Sequence, residues 1–270
     1  MLTSAEILSK WVDTGTAKTK NKPGKLFVLA LFAGIFIALA GVAATTAGVS
    51  LGSTSYAKLI NAVVFPGGLA MVILAGSELF TGNTLILISL VHKKATVAGM
   101  LKNWIIVYIG NFIGSVLIAA LAVYGHTFSL FGGELAANAV SVAAGKANLA
   151  FGDAFIRGIL CNFLVCIAVW IASGASTAPG KLMGLFFPIM MFVVSGYEHS
   201  VANMYYLPAG LFALKEYGLT AEGLTWGNFL LNNLLPVTLG NILGGGVCVG
   251  LGYTLAVGGK EGKAKEKNKK

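Results

Sequence analysis

Six apolar stretches, each long enough to cross a lipid bilayer, decide what this chain can fold into. Runs without a formal charge extend over Leu26–Ser55, Asn103–Gly133, Gly158–Gly180 and Gly223–Gly259. Two more, Leu59–Val91 and Leu182–Leu214, are interrupted by one acid each, Glu78 and Glu198. A bilayer core about 30 Å thick takes roughly 20 apolar residues per helical span. A soluble chain carries about 25% charged residues to cover its surface, whereas this one has 11% charged against 56% apolar. The expectation is an all-α integral membrane protein of six transmembrane helices. The membrane domain covers 25–257, between a cytoplasmic segment 1–24 and a cytoplasmic basic tail 258–270.

The net charge of +9 follows the membrane rather than a nucleic acid. Lysines cluster before the first span (Lys10, Lys18, Lys20, Lys22, Lys25), between the second and third (Lys93, Lys94, Lys102), at Lys181 and in the tail. The opposite loops hold only Lys58, Lys146 and Lys215. This asymmetry places both termini in the cytoplasm of a bacterial inner membrane. Within 1–24, Thr3–Lys18 reads as a short helix with Ile7, Leu8 and Trp11 on one face. Cys161, Cys166 and Cys248 fall inside spans, where neither a disulfide nor a metal site is expected. No nucleotide motif is present and no cofactor is expected.

The two interrupted spans share a pattern. Gly76–Asn83 and Gly196–Asn203 both read G-x-E-x4-N, each after a Phe-Pro step, Phe65-Pro66 and Phe187-Pro188. Further on, Gly110–Gly114 and Gly240–Gly244 both read G-N-x-x-G. Landmarks in the same order imply a duplicated three-span unit, and an odd number of spans inverts the second copy. Glu, Asn, Thr and His at mid-span are costly in lipid and belong on a protein interior or a water-filled path. Glycines beside them break the helix, so the second and fifth spans are expected to be broken near Ser77–Thr84 and Gly196–Asn203. Half-helix N-termini there would favour an anion. Glu78 and Glu198 are expected to bond backbone N–H groups and hold their loops. His199 is the one histidine in the middle of a span, where imidazole can donate, accept or exchange a proton near neutral pH. Lys146, in a charge-poor outer loop, would draw anions toward the mouth.

Four motifs carry a resemblance: Glu78–Asn83, Arg157–Asn162, Glu198–Met204 and Thr238–Ile242 are similar to those of the formate/nitrite transporter family. The resemblance covers about Lys25–Val257 and is nearest to the family's hydrosulfide-channel branch, found in anaerobic sulfite-reducing bacteria. It implies an aquaporin-like inverted repeat with one pore per protomer of a homopentamer. The substrates implied are small monovalent anions of weak acids: hydrosulfide first, with formate and nitrite as alternatives. Carried over, the pore histidine falls on His199 and the first-loop threonine on Thr81. The supporting lysine and asparagine fall on Lys146 and Asn162, and the apolar constrictions on Phe65, Leu69, Leu79, Phe80 and Phe192. Asn83 and Asn203 join Glu78 and Glu198 as loop supports.

A bare anion in a slit ringed by Phe and Leu carries a desolvation penalty of several kcal/mol. Thr81, Asn162, His199 and backbone N–H groups can replace its water, or His199 can lend a proton so that the neutral acid crosses. Flow would be passive or proton-coupled. An aquaporin-type channel would need paired Asn-Pro-Ala loops, and the chain has no Asn-Pro. An ammonium channel would want twin pore histidines. An intramembrane hydrolase using Ser195 or Ser200 with His199 would have nucleophile and base on one short segment, leaving no independently positioned base.

Overall fold

The computed structural model describes residues 1–257, and the basic tail 258–270 expected from the sequence lies outside them. Among the described residues every regular element is helical. The first half runs α1 (Ser4–Lys20), α2 (Pro23–Gly48), α3 (Ser55–Val64), α4 (Pro66–Ala75), α5 (Phe80–Asn83), α6 (Ile86–Val91) and α7 (Val97–Tyr124). The second runs α8 (Glu134–Ala147), α9 (Phe151–Gly174), α10 (Ala178–Val194), α11 (Ser200–Glu216), α12 (Trp226–Asn228) and α13 (Leu235–Asn241). π-helical segments Phe229–Leu234 and Ile242–Leu251 flank α13.

Among the described residues five helical stretches are long and apolar enough to cross a membrane: Pro23–Leu51, Ser55–Ala75, Val97–Tyr124, Phe151–Gly174 and Trp226–Val257. Phe80–Val91 and Ala178–Val194 are shorter apolar pieces. Their shortness has a local cause. Gly76 (φ 76°) and Gly196 (φ 69°) adopt left-handed backbone that a side chain disfavours,. Each stops its helix, and the chain runs without helix until Phe80 and Ser200.

α7 shows that the solvent of the outer wall is apolar. Val97, Leu101, Ile105, Ile109, Ile113, Leu117 and Leu121 form an exposed stripe at four-residue spacing, while Asn103, Asn111 and Ser115 are buried. That is the reverse of a helix on a water-soluble protein. Inside, the helices meet through glycine. α2 packs on α7 as α9 packs on α13 and the π segment after it. A β-carbon on Gly34 or Gly114 would overlap the main chain of the facing helix at Asn111 or Leu31, and one on Gly240 or Gly244 would overlap Phe155 or Ile159. Small residues at such crossings let backbones approach closely.

Two segments differ from a simple loop. α1 begins with a reciprocal cap between Thr3 and Glu6 and buries Ile7, Leu8 and Trp11 against Leu85, Ile88, Trp170 and Val249,. Lys146, expected in a loop, stands in the last turn of α8. The segment is alanine-rich and buries Leu135, Ala136, Ala139, Val140, Ala143 and Ala147 along one face, which holds it helical against α11,.

Candidate functional site

The two helix interruptions are built from the same parts. In the first, Asn111 accepts the Phe80 N–H at 2.9 Å through Oδ1 and donates to the carbonyls of Glu78 and Ala30 at 2.9 and 2.7 Å. In the second, Asn241 accepts the Ser200 N–H at 2.9 Å and donates to the carbonyls of Glu198 and Gly158 at 3.0 and 2.8 Å. The central asparagine of each G-N-x-x-G motif is thus a main-chain clamp. It occupies the first N–H of each helix that restarts, so those groups are committed to protein rather than open to an anion.

The acids hold the loops by a different route from the one expected. Glu78 Oε2 accepts from Asn83 at 2.7 Å and from the Lys18 ammonium at 2.7 Å, while Asn83 also donates to Asn103 at 2.9 Å. Glu198 Oε2 accepts from Asn203 at 2.7 Å and from Asn233 at 3.3 Å, and Glu198 Oε1 accepts from Lys146 at 2.8 Å. Backbone N–H groups are not among these partners, because the clamping asparagines and main-chain carbonyls already take them. Each carboxylate is neutralised by one ammonium, so neither presents a bare negative charge to the interior.

Lys18, Asn103 and Asn233 had no role in the sequence reading. Lys18 looked like one more cytoplasmic lysine, and its bond to Glu78 spans 60 residues where Lys146 to Glu198 spans 52. The asparagines did leave a signal: Asn103 stands eight residues before Asn111, as Asn233 stands before Asn241. Asn233 falls in a π-helical segment, a widened turn that often marks functional positions.

Thr81 and His199, one from each half, meet: Thr81 Oγ1 lies 2.9 Å from His199 Nε2. His199 is the N-cap of α11, its Nδ1 accepting the Ala202 N–H at 3.0 Å. In a neutral imidazole with Nδ1 as acceptor, the proton sits on Nε2 and is donated to Thr81. Thr81 Oγ1 has no second protein partner among the described residues, so its own hydroxyl proton is free to point at a third group. Asn162 ties the first loop down by donating to the Thr81 carbonyl and Thr84 Oγ1 at 3.2 Å each and to the Asn241 carbonyl at 2.6 Å. Its amide hydrogens are spent on protein acceptors, which makes it a brace behind Thr81 rather than a donor to an ion.

A cavity of about 520 Å³ reaches the His199 member of this pair. Its wall includes Lys58, Asn61, Lys146, Glu198, Tyr206 and His199, and it lies on the side of α8 and the α2–α3 connection, away from α1. Beyond it lies a void of about 10 Å³, lined by Phe65, Leu69, Leu79 and Phe192 with Ile37, Val165, Ile189 and His199. That is room for about one water. Phe192 stacks on the His199 ring with centroids 5.8 Å apart and meets Phe65 edge-on at 5.8 Å. Phe80 stands apart from this ring, packed edge-on against Tyr108 at 4.9 Å and Trp104 at 6.1 Å. The arrangement is a polar funnel that reaches His199, with Thr81 bonded to that ring, and an apolar neck.

Known proteins share this build. The family described as formate/nitrite transporter matches residues 5–255. An uncharacterized transporter, YrhG, of Bacillus subtilis is 40% identical over 97% of this chain and 96% of its own length. The formate channel FocA of Haemophilus influenzae is 38% identical over 93% of each. Among solved structures, a pentameric formate channel with formate bound superposes with a TM-score of 0.78 at 36% identity, covering 87% of this chain and 97% of the other. A formate/nitrite-transporter-family ion channel gives 0.83 at 32% identity, covering 93% and 98%. The chain belongs to the formate/nitrite transporter family of membrane transport proteins.

Proposed function

We propose that this protein is a passive or proton-coupled channel for small monovalent anions of weak acids, with formate the leading substrate. The observation that carries the reading is that His199, bonded to Thr81, lines both the 520 Å³ cavity and the apolar void of about 10 Å³ beyond it. An anion leaving the polar funnel meets the free Thr81 proton and the His199 ring just where its water must be shed. The names of the relatives FocA and of the formate-bound pentamer support formate ahead of hydrosulfide, the narrower expectation that the sequence resemblance implies. Nitrite and hydrosulfide share formate's size and single charge and remain alternatives.

In this reading Ser55–Val91 and Ala178–Glu216 are the second and fifth spans, each broken at its Gly-x-Glu loop. With Pro23–Leu51, Val97–Tyr124, Phe151–Gly174 and Trp226–Val257 they make six, as inverted three-span repeats. Both termini lie in the cytoplasm of a bacterial inner membrane, so the 520 Å³ cavity opens outward. The assembly is a homopentamer with a pore in each protomer, in keeping with the pentameric formate channel. His199 acts as polar relay, Thr81 as donor, and Phe65, Leu69, Leu79 and Phe192 as the neck, while Phe80 closes the path further in. Flux of formate, nitrite, hydrosulfide, chloride and sulfate into liposomes at several pH values tests it. Formate is expected to pass and sulfate to be refused, since desolvation cost grows with the square of charge. Equal passage of sulfate would sink the reading.

A further inference from the structure

We propose that Lys58 recruits the anion into the outer cavity, a role that rests on the channel reading above. Three formal charges line that cavity: the ammonium groups of Lys58 and Lys146 and the carboxylate of Glu198. Lys146 is committed. Its ammonium lies 2.8 Å from Glu198 Oε1, the two side chains being only 18% and 4% exposed, and 5.6 Å from the centre of the Tyr206 ring. Lys58 has no carboxylate within ion-pair distance among the described residues, and it is exposed. The remaining polar lining, including Ser53, Asn61, Asn138 and Tyr197, is uncharged. The cavity wall therefore carries one uncompensated positive charge, and Lys58 holds it.

Its placement gives that charge a task. Lys58 lies in the first turn of α3, beside the exposed α2–α3 connection. A β-carbon built on Gly196 would lie 3.3 Å from Lys58 Nζ. The ammonium thus stands beside the loop that ends at His199, and Lys58 is exposed where the paired Lys146 and Glu198 side chains are only 18% and 4% exposed. Among the described residues, a β-carbon on Gly76, in the same left-handed conformation, would meet nothing within 4 Å. The two interruptions are therefore unlike among the described residues, the second having the Lys58 ammonium beside its glycine and the first having none beside Gly76. A cavity lined by one sign of charge between low-dielectric walls concentrates counter-ions and speeds their entry. An exposed charge of this kind acts on encounter and is screened over about 8 Å at physiological salt, so it leaves passage through the neck untouched.

The test is formate entry into right-side-out vesicles carrying the full-length protein, with Lys58→Gln and Lys58→Arg beside the wild type. Formate is varied from subsaturating to saturating, and ionic strength is set with sodium gluconate. For Lys58→Gln, entry at low ionic strength and subsaturating formate is expected to fall about threefold to tenfold. Saturating flux is expected to hold, the deficit to shrink toward nothing in high salt, and Lys58→Arg to behave as wild type. A deficit of the same factor at every ionic strength, a loss confined to saturating flux, or no deficit at all would overturn the role. Wild-type vesicles without formate flux would overturn the channel reading itself.

Discussion

Replacing His199 separates three things that its position makes it do. The ring bonds Thr81 through Nε2, caps α11 through Nδ1 and stacks on Phe192. His199→Phe keeps a ring against Phe192 but removes both hydrogen bonds. Losing the cap costs about 1 kcal/mol of helix stability, and the Thr81 hydroxyl left buried without its partner costs a further ~1–3 kcal/mol. If that second amount is withdrawn from the anion at the neck, flux falls about 5- to 150-fold, at a factor of ten per ~1.4 kcal/mol. Asparagine is a strong helix N-cap, so His199→Asn preserves the bond to the Ala202 N–H and gives up the titratable ring. Its loss of flux is expected to be smaller, about 2- to 13-fold for one hydrogen bond of ~0.5–1.5 kcal/mol.

The pH profile then isolates the proton. Imidazole titrates between about pH 5 and 8 and asparagine does not. Formate flux in proteoliposomes, corrected for empty liposomes, is to be followed across that range for wild type and His199→Asn. A proton exchanged at His199 predicts that the asparagine variant conducts with a flat profile. The wild-type profile, merely scaled, would show that the anion crosses charged. His199→Phe at full wild-type flux would refute the relay altogether.

Other consequences follow from the geometry. Glu198→Gln leaves Lys146 as a nearly buried unpaired cation and is expected to destabilise the protein toward the lower end of ~3–5 kcal/mol; adding Lys146→Met should recover part of this, as read by thermal unfolding. Gly244→Val puts a side chain into the Ile159 main chain, so little folded protein should be recovered by size-exclusion chromatography, whereas the same change at Gly252, which has open space around it, should be tolerated. Phe192→Ala removes one wall of the 10 Å³ void and is expected to admit larger monovalent anions such as lactate in the liposome assay, with sulfate still refused.

The sequence displayed the apolar runs, the two Gly-x-Glu interruptions and the paired asparagine motifs, because each is a local pattern with its own physical reason. Partnership was less legible. Nothing near Lys18 announces that it neutralises Glu78, 60 residues away, since a lysine before a first span satisfies the cytoplasmic charge bias equally well. Asn103 and Asn233 repeat at 130 residues in step with the G-N-x-x-G motifs, but their partners Asn83 and Asn203 repeat at 120, so the sequence does not show which residues they meet. The sequence alone offers Asn162 as a group facing the ion, because its three protein acceptors, the Thr81 and Asn241 carbonyls and Thr84 Oγ1, lie about 80 residues away on either side. α8 is too short and too polar to stand out as a span, and only its alanine-rich face marks it as helix.

The account turns on whether the anion is met by the free proton of Thr81, and Thr81→Val asks this with least disturbance. Valine has nearly the shape of threonine and removes only the hydroxyl. The Thr81 carbonyl that Asn162 and Thr84 hold is untouched. Formate flux of Thr81→Val at pH 7 is therefore the most direct measurement. The account predicts a fall of about 5- to 150-fold for the loss of a buried donor worth ~1–3 kcal/mol, with the oligomer intact. Unchanged flux in a correctly assembled variant would contradict it and move the path away from the Thr81–His199 pair.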